Sequence, residues 1–167
     1  MSRVRIKFCG ITREEDARLA TDLGVDALGF VFSRRSGRFI EPEHAMRICR
    51  QLPPMVSTVA LFMDDDPAWI GQVLSGFTPH ILQFHGSENA SDCAATGFPY
   101  IKAVPMASIT DVASYSRAYP EAAALLLDAH AVGEPGGRGT RFDWSQRPQV
   151  TQALILAGGL DAGNVAE

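Results

Sequence analysis

The feature that most constrains the fold is a regular alternation of short apolar runs and amphipathic helical patterns along all 167 residues. The apolar runs are short, nearly unbroken in hydrophobicity and bounded by turn residues, as strands buried on both faces are. Strict strand–helix alternation predicts right-handed βαβ units and a parallel sheet. The predicted strands are residues 4–9, 27–32, 57–63, 80–86, 100–106, 124–130 and 153–159.

Helix signals fill the segments between the strands. Thr12 and Glu15 form a capping-box pattern, and Gly24 is placed to end the same helix. Asp66 is predicted to cap the third helix, with Pro67 at its first position. The first helix is expected to turn an apolar stripe inward, which consists of Leu19, Ala20 and Leu23. Other helices are predicted from Pro42, over 89–96 and over 110–118, with a weak pattern over 145–151.

The length and apolar content of the chain predict one domain, residues 1–167, with a sizeable core. A net charge of −4 without a long basic run argues against nucleic acid and anionic membranes as partners. Three cysteines without paired spacing argue against a secreted disulfide framework. The opening residues lack the apolar stretch of a signal peptide. These features together predict a cytoplasmic protein.

Two architectures fit a parallel sheet of this kind, an open doubly wound sheet and a closed barrel. The first strand–helix turn, "CGITREE", lacks the glycine pattern of a dinucleotide-binding fold. An α/β fold of the (β/α)8 TIM-barrel type is therefore favoured. Seven strands are counted and the residues end as a seventh helix begins, so we expect a barrel that is incomplete at its C-terminus and lacks the eighth strand.

In a barrel of this type the chemistry collects where the strands end. Cys9 and Asp128 are the strand-end residues able to act as an acid–base pair, although a lone cysteine is more often a small core residue and Asp128 equally suits a cap or turn. Lys7 shares a strand face with Cys9. No His, Cys or carboxylate at metal-ligand spacing accompanies His85, so a hydrogen-bonded structural role is favoured over a metal ligand.

Three segments beside strand ends suit an anionic substrate, and each has a plainer alternative. The run "SRRSGR" (33–38) follows the second strand, and it is either an anion site or a solvated loop. The run "GEPGGRG" (133–139) either brings backbone N–H groups to a phosphate or is a flexible linker. The run "AGGL" (157–160) ends the seventh strand, where barrels commonly bind phosphate.

The order of five motifs resembles the phosphoribosylanthranilate isomerase family. They are "KFCGITREEDA", "GFVF…SRRSGRFI", "LQFHG", "LLLDAHAVGEPGGRGTRFDW" and "ILAGGL". The resemblance implies a small (β/α)8 barrel of tryptophan biosynthesis that performs an Amadori rearrangement of N-(5-phosphoribosyl)anthranilate. It implies Cys9 as the base that removes the C2 proton, Asp128 as the acid that opens the furanose, and Arg38 as a residue that recognises the anthranilate carboxylate. The substrate-binding residues are further expected to include Lys7, His85, Gly136, Gly137, Gly139, Gly158 and Gly159.

The chemistry implied by this resemblance explains why such residue types are needed. Ring opening produces an iminium that acidifies the neighbouring C–H and acts as its own electron sink, so no metal or other cofactor is expected. A thiol base needs its pKa lowered, and Lys7 or the following helix N-terminus would assist. The acid must keep its proton, so the pKa of Asp128 should be raised by burial or by the charges of the substrate.

Two alternatives remain open at this point. Another phosphosugar barrel enzyme would share the phosphate site but would not predict a cysteine base paired with an aspartate acid. The second alternative is a catalytically silent, incomplete barrel fragment. The open edges of the first and seventh strands are expected to favour self-association, while the expected small-molecule partner is an anionic phosphosugar.

Overall fold

The structure is a computed structural model that describes residues 3–131, 141–145 and 148–166. Its contacts divide the chain into two compact units, Met1–Gln83 and Phe84–Glu167. The predicted alternation of strands and helices is present in both. The strands are β1 (Lys7–Cys9), β2 (Ala27–Val31), β3 (Ser57–Phe62), β4 (Ile81–Phe84), β5 (Tyr100–Pro105), β6 (Ala124–Asp128) and β7 (Ala153–Leu156). The helices are α1 (Glu14–Asp22), α2 (Pro42–Cys49), α3 (Pro67–Gly76), α4 (Ala90–Ala95) and α5 (Val112–Ala118).

In the first unit, β1, β2 and β3 pair in parallel. Cys9 is the register partner of Gly29, and Ala27 is the partner of Ser57. Almost every residue of β2 and β3 is buried, which is why their sequences are mostly apolar and do not alternate between apolar and polar residues. The ring of Phe77, which follows α3, packs on that of Phe32 with centroids 5.0 Å apart and links helix to sheet.

In the second unit, β5, β6 and β7 also pair in parallel, and Pro105 is the register partner of Asp128. All residues of β5 and β6 are buried. One of them is Lys102, whose ammonium forms an ion pair with Glu88 at 3.0 Å and also donates to the Gly86 carbonyl. Such a buried charge is tolerated because its donors are paired.

The start of the first helix differs from the prediction. The residue at the N-cap position of α1 is Arg13, and no side-chain hydrogen bond caps this helix. The capping-box expectation for Thr12 and Glu15 was therefore wrong. The predicted end is confirmed, because Gly24 has φ +85°, a conformation that favours glycine.

The buried face of α1 also differs from the expected stripe. Leu19 and Leu23 are 60% and 71% exposed, and the helix buries Ala17 and Ala20 instead. The two alanines lie three residues apart on one face, so the helix meets its neighbours through small side chains.

The capping of the third helix is confirmed. Asp66 accepts a hydrogen bond from the backbone N–H of Ala68 at 2.7 Å, and Pro67 is the first residue of α3. The weak helical pattern over 145–151 is not realised in the described residues of that range. Within the described ranges, no helix is both long enough and apolar enough to cross a membrane.

Candidate active site

Cys9 is the last residue of β1, and Gly29 on the neighbouring strand gives its thiol room. A Cβ at Gly29 would lie 2.7 Å from the Cys9 Sγ. The N–H groups of Gly10 and Ile11 both donate to the Gly29 carbonyl, at 2.9 and 3.0 Å. These bonds continue the strand pairing beyond the cysteine and hold the end of β1 in place.

Arg38 lies against the same strand end. Its Nη1 donates to the Cys9 carbonyl at 3.1 Å, and its own backbone N–H donates to Ser36 Oγ at 3.1 Å. Gly10 has φ +86°, and a Cβ there would lie 2.5 Å from the Cδ of Arg38. The structure therefore brings two predicted site residues, Cys9 and Arg38, together.

Lys7 and Cys9 are both partly exposed, on either side of Phe8, which is 44% exposed. Burial raises the pKa of the other two thiols, Cys49 and Cys93, to about 12. A thiol with so high a pKa is a poor nucleophile and a poor base near neutral pH. All three cysteines are free.

Asp128 ends β6 in the second unit and is only 5% exposed. His85, the residue after β4, places its Nε2 3.0 Å from the Asp128 Oδ2. The Nδ1 of His130 lies 3.3 Å from the same oxygen. The rings of the two histidines stack with centroids 4.6 Å apart. Asp128 therefore has two imidazole partners at one carboxylate oxygen.

These partners set the charge of the carboxyl group. Burial raises the pKa of Asp128, but the interactions with His130 and His85 outweigh it, so the pKa lies below its usual range. Burial, with the charges of His130 and Lys102, lowers the pKa of His85 against the opposing effect of Asp128. A neutral His85 donates its Nε2–H to the carboxylate, which only accepts. The expectation that burial raises the pKa of Asp128 overall is wrong for the free protein.

Gly158 forms the wall beside the other carboxylate oxygen. It has φ +77°, and a Cβ there would lie 2.7 Å from both the Asp128 Oδ1 and the backbone nitrogen of Ala129. Gly159 follows with φ +71°, and its carbonyl accepts from the Asn164 Nδ2 at 2.8 Å. The structure thus brings Gly158 and Asp128 together. The predicted positions Gly136, Gly137 and Gly139 lie outside the described residues.

Sequence reasoning did not single out His130. It favoured a hydrogen-bonded His85, which the contact with Asp128 confirms, but it did not identify that partner. His130 lies two residues after Asp128, and the period of two along an extended chain was the signal that would have placed both on one side. The ligand atoms of His85, Asp128 and His130 all lie within 4.8 Å of one another. Two imidazoles and a carboxylate are donors that divalent transition metals use.

Comparison with known proteins places this geometry in context. Residues 6–167 match the family described as N-(5'-phosphoribosyl)anthranilate (PRA) isomerase. The chain is 48% identical over 166 residues to N-(5'-phosphoribosyl)anthranilate isomerase of Nitrosococcus oceani, covering 99% of this chain and 81% of the relative.

Solved structures agree with this match. The crystal structure of phosphoribosyl anthranilate isomerase from Thermotoga maritima is similar with a TM-score of 0.79 and 39% identity, over 98% of this chain and 80% of that one. A second similar structure is a phosphoribosyl anthranilate isomerase in complex with reduced 1-(o-carboxyphenylamino)-1-deoxyribulose 5-phosphate. It has a TM-score of 0.76 and 37% identity, with the same coverage.

Proposed function

The chain belongs to the N-(5'-phosphoribosyl)anthranilate isomerase family, and we propose that Cys9 and Asp128 are the base and the acid of its reaction. The protein is an isomerase of tryptophan biosynthesis whose fold class is the (β/α)8 barrel, of which the described residues supply seven strands. It converts N-(5'-phosphoribosyl)anthranilate into 1-(2-carboxyphenylamino)-1-deoxyribulose 5-phosphate. The family match over residues 6–167 is the observation that carries this assignment.

The proposed reaction begins with ring opening. Asp128 gives its proton to the furanose oxygen, the bond between C1 and that oxygen breaks, and the anthranilate nitrogen supplies the electron pair that forms the C1 iminium. Cys9, as thiolate, then removes the C2 proton, and the C–H electrons neutralise the iminium to give an enol-amine. Tautomerisation of this enol-amine yields the ketose. A positioned acid and a positioned base each contribute about 10²–10⁴ in rate.

We propose that substrate binding raises the pKa of Asp128, so that its carboxyl group is protonated in the complex. The lowered pKa leaves this carboxyl group ionised in the free protein near neutral pH. The phosphate and carboxylate of a bound substrate are negative charges that favour the neutral acid. The Oδ2 contacts both histidines, so we propose the Oδ1, beside Gly158, as the oxygen that carries the proton.

Arg38 is proposed to bind the anthranilate carboxylate. A guanidinium has five N–H donors in a planar fork, and the bond to the Cys9 carbonyl engages only the Nη1. Its exposed position at the end of β1 leaves the guanidinium accessible beside the proposed base. A carboxylate held there would place the anthranilate nitrogen, and hence C1 and C2, close to Cys9.

The remaining predicted residues are assigned as follows in this proposal. Gly158 and Gly159 bind the phosphate through backbone N–H groups, together with the stretch that holds Gly136, Gly137 and Gly139. Lys7, which shares a strand face with Cys9, contributes a positive charge to the binding of the anionic substrate. His85 acts on the substrate through Asp128, which it contacts directly.

Residues 1–167 are proposed to form one catalytic domain. Its three free cysteines fit a reducing, cytoplasmic location. Exposed apolar side chains beside β1 and β7 favour self-association, and we expect neither nucleic acid nor membranes as partners.

The direct test incubates the purified chain with N-(5'-phosphoribosyl)anthranilate and separates substrate and ketose by chromatography. Ribose 5-phosphate, which lacks the anthranilate nitrogen, serves as the comparison substrate. We expect turnover of the first compound alone, because only its nitrogen can form the iminium. Equal turnover of ribose 5-phosphate would point to a general sugar-phosphate isomerase.

A further inference from the structure

Two histidines surround the proposed acid, although the proposed reaction uses only Asp128 of the three as a proton donor. The side chains of His85, Asp128 and His130 are 9%, 7% and 5% exposed. Among the described residues, this is the one group of three His, Cys or carboxylate side chains whose ligand atoms all lie within 4.8 Å. Such concentration of buried donors requires an explanation beyond packing.

The spacing of the donor atoms suits a tetrahedral cation. The His85 Nε2 and the His130 Nδ1 lie 3.0 and 3.3 Å from the Asp128 Oδ2. Ligands bound to zinc at about 2.0–2.2 Å lie roughly 3.3–3.5 Å apart along the edges of a tetrahedron. These two distances are within a few tenths of an ångström of those a bound ion requires, and the two histidine ligand atoms lie within 4.8 Å of each other.

The His130 Nδ1 supplies an independent observation. This atom is buried and has no hydrogen bond of acceptable geometry, although it lies 3.3 Å from the Asp128 Oδ2. The contact is thus electrostatic and poorly aligned. A buried polar atom without a hydrogen bond is costly, and coordination of a cation by its lone pair would remove that cost.

We propose that His85, Asp128 and His130 form a binding site for a divalent transition-metal ion such as Zn²⁺, and that the bound ion withdraws Asp128 from catalysis. Imidazole and carboxylate ligands suit Zn²⁺, whereas Mg²⁺ prefers six oxygen ligands. Three protein ligands leave a fourth position for water. The inhibition, though not the binding, rests on the proposed role of Asp128.

The neighbours of the three ligands also support a metal site. A Cβ at Gly158 would lie 2.7 Å from the Asp128 Oδ1, so the absence of a side chain at this position leaves space beside that oxygen. The stacked rings of His85 and His130 fix each other's orientation, with planes 25° apart. Neighbours that orient metal ligands in this way strengthen binding.

The test uses the untagged chain of residues 1–167, freed of metal by dialysis against a chelator. CoCl₂ is titrated by its visible ligand-field absorption and ZnCl₂ by calorimetry, with MgCl₂ as the control ion. His130→Phe keeps a ring to stack on His85 but removes a ligand, and His44→Phe on α2 is the matched control. Circular dichroism checks both folds, and His85→Gln replaces His130→Phe if that variant does not fold.

We expect the parent to bind one Co²⁺, displaced by Zn²⁺, and the ligand variant to bind more than about 100-fold more weakly, while His44→Phe is unchanged. Zn²⁺ should also stop turnover of the parent, and a chelator should restore it. Absence of Co²⁺ and Zn²⁺ binding, or undiminished binding by the folded ligand variant, overturns the site. Binding without inhibition keeps the site and instead contradicts Asp128 as the acid.

Discussion

Asp128 is the residue whose proposed role is most demanding, because its histidine partners lower the pKa of a group that must deliver a proton. We predict that Asp128→Asn lowers kcat by about 10²–10⁴, since an amide cannot donate the proton that opens the ring. A substrate analogue with the ring already opened should bypass this step. If the variant is equally slow with the opened analogue, Asp128 does something other than open the ring.

Arg38 should affect binding more than chemistry. We predict that Arg38→Ala raises KM more than it lowers kcat, because a carboxylate-binding arginine acts in both the ground state and the transition state. Arg47→Ala, which removes an exposed arginine from α2, is the matched control. An analogue without the anthranilate carboxylate should be nearly insensitive to Arg38→Ala. Full sensitivity would assign Arg38 to the phosphate or to the structure of the end of β1.

At the scale of elements, the entry into β1 depends on one carboxylate at the start of β2. Asp26 Oδ2 accepts from the Ile6 backbone N–H at 2.8 Å and from the Arg3 Nη1 at 3.1 Å. These bonds lower the pKa of Asp26, the backbone bond with Ile6 most, against an opposing effect of desolvation. Its stabilising contribution is therefore present above the usual aspartate pKa of about 3.9 and is lost as pH falls through the folded value.

We predict that Asp26→Asn lowers Tm at neutral pH, and that the difference from the parent disappears at low pH once the parent carboxyl group is protonated. Thermal unfolding of both proteins between pH 7 and pH 2 measures this. A difference in Tm that stays constant over the whole range would mean that the charge of Asp26 does not hold β1.

The elements predicted best from the sequence are the strands that are buried on both faces, because burial on both faces produces a recognisable apolar run in the sequence. The runs that became β5 and β6 are mostly apolar because every residue is buried, with Lys102 and Asp128 as the charged exceptions. The start of α1 was predicted wrongly because a Thr–Glu spacing indicates a cap only when local geometry realises it, and here Arg13 takes that position.

The sequence predicted those site residues that a single motif identifies. It did not predict contacts between residues that are far apart in the sequence. Cys9 and Asp128 stand at the strand ends where the pattern placed them. Burial alone does not set the pKa of Asp128, because His130 and His85 lower it, and His85 lies 43 residues away in sequence. His130 was missed because its closeness to His85 depends on the same packing.

At the scale of the whole molecule, exposed apolar side chains predict association between chains. Val4, Ile6 and Phe8 are 81%, 46% and 44% exposed on and beside β1. Burying such surface is favourable at roughly 25 cal/mol per Å². We predict that Ile6→Lys weakens self-association in analytical ultracentrifugation, whereas Leu19→Lys on the exposed face of α1 does not. A parent that stays monomeric at high concentration would contradict this.

The central claim is that this chain catalyses the isomerisation with Cys9 as its base. The most direct measurement compares kcat of the parent, Cys9→Ser and Cys49→Ser on N-(5'-phosphoribosyl)anthranilate. Cys49 is the control because burial raises its pKa to about 12, which makes it unfit as a base. We predict a loss of about 10²–10⁴ in kcat for Cys9→Ser with KM little changed, and parent-like kcat for Cys49→Ser. A Cys9→Ser protein that keeps most of the parent kcat would contradict the account.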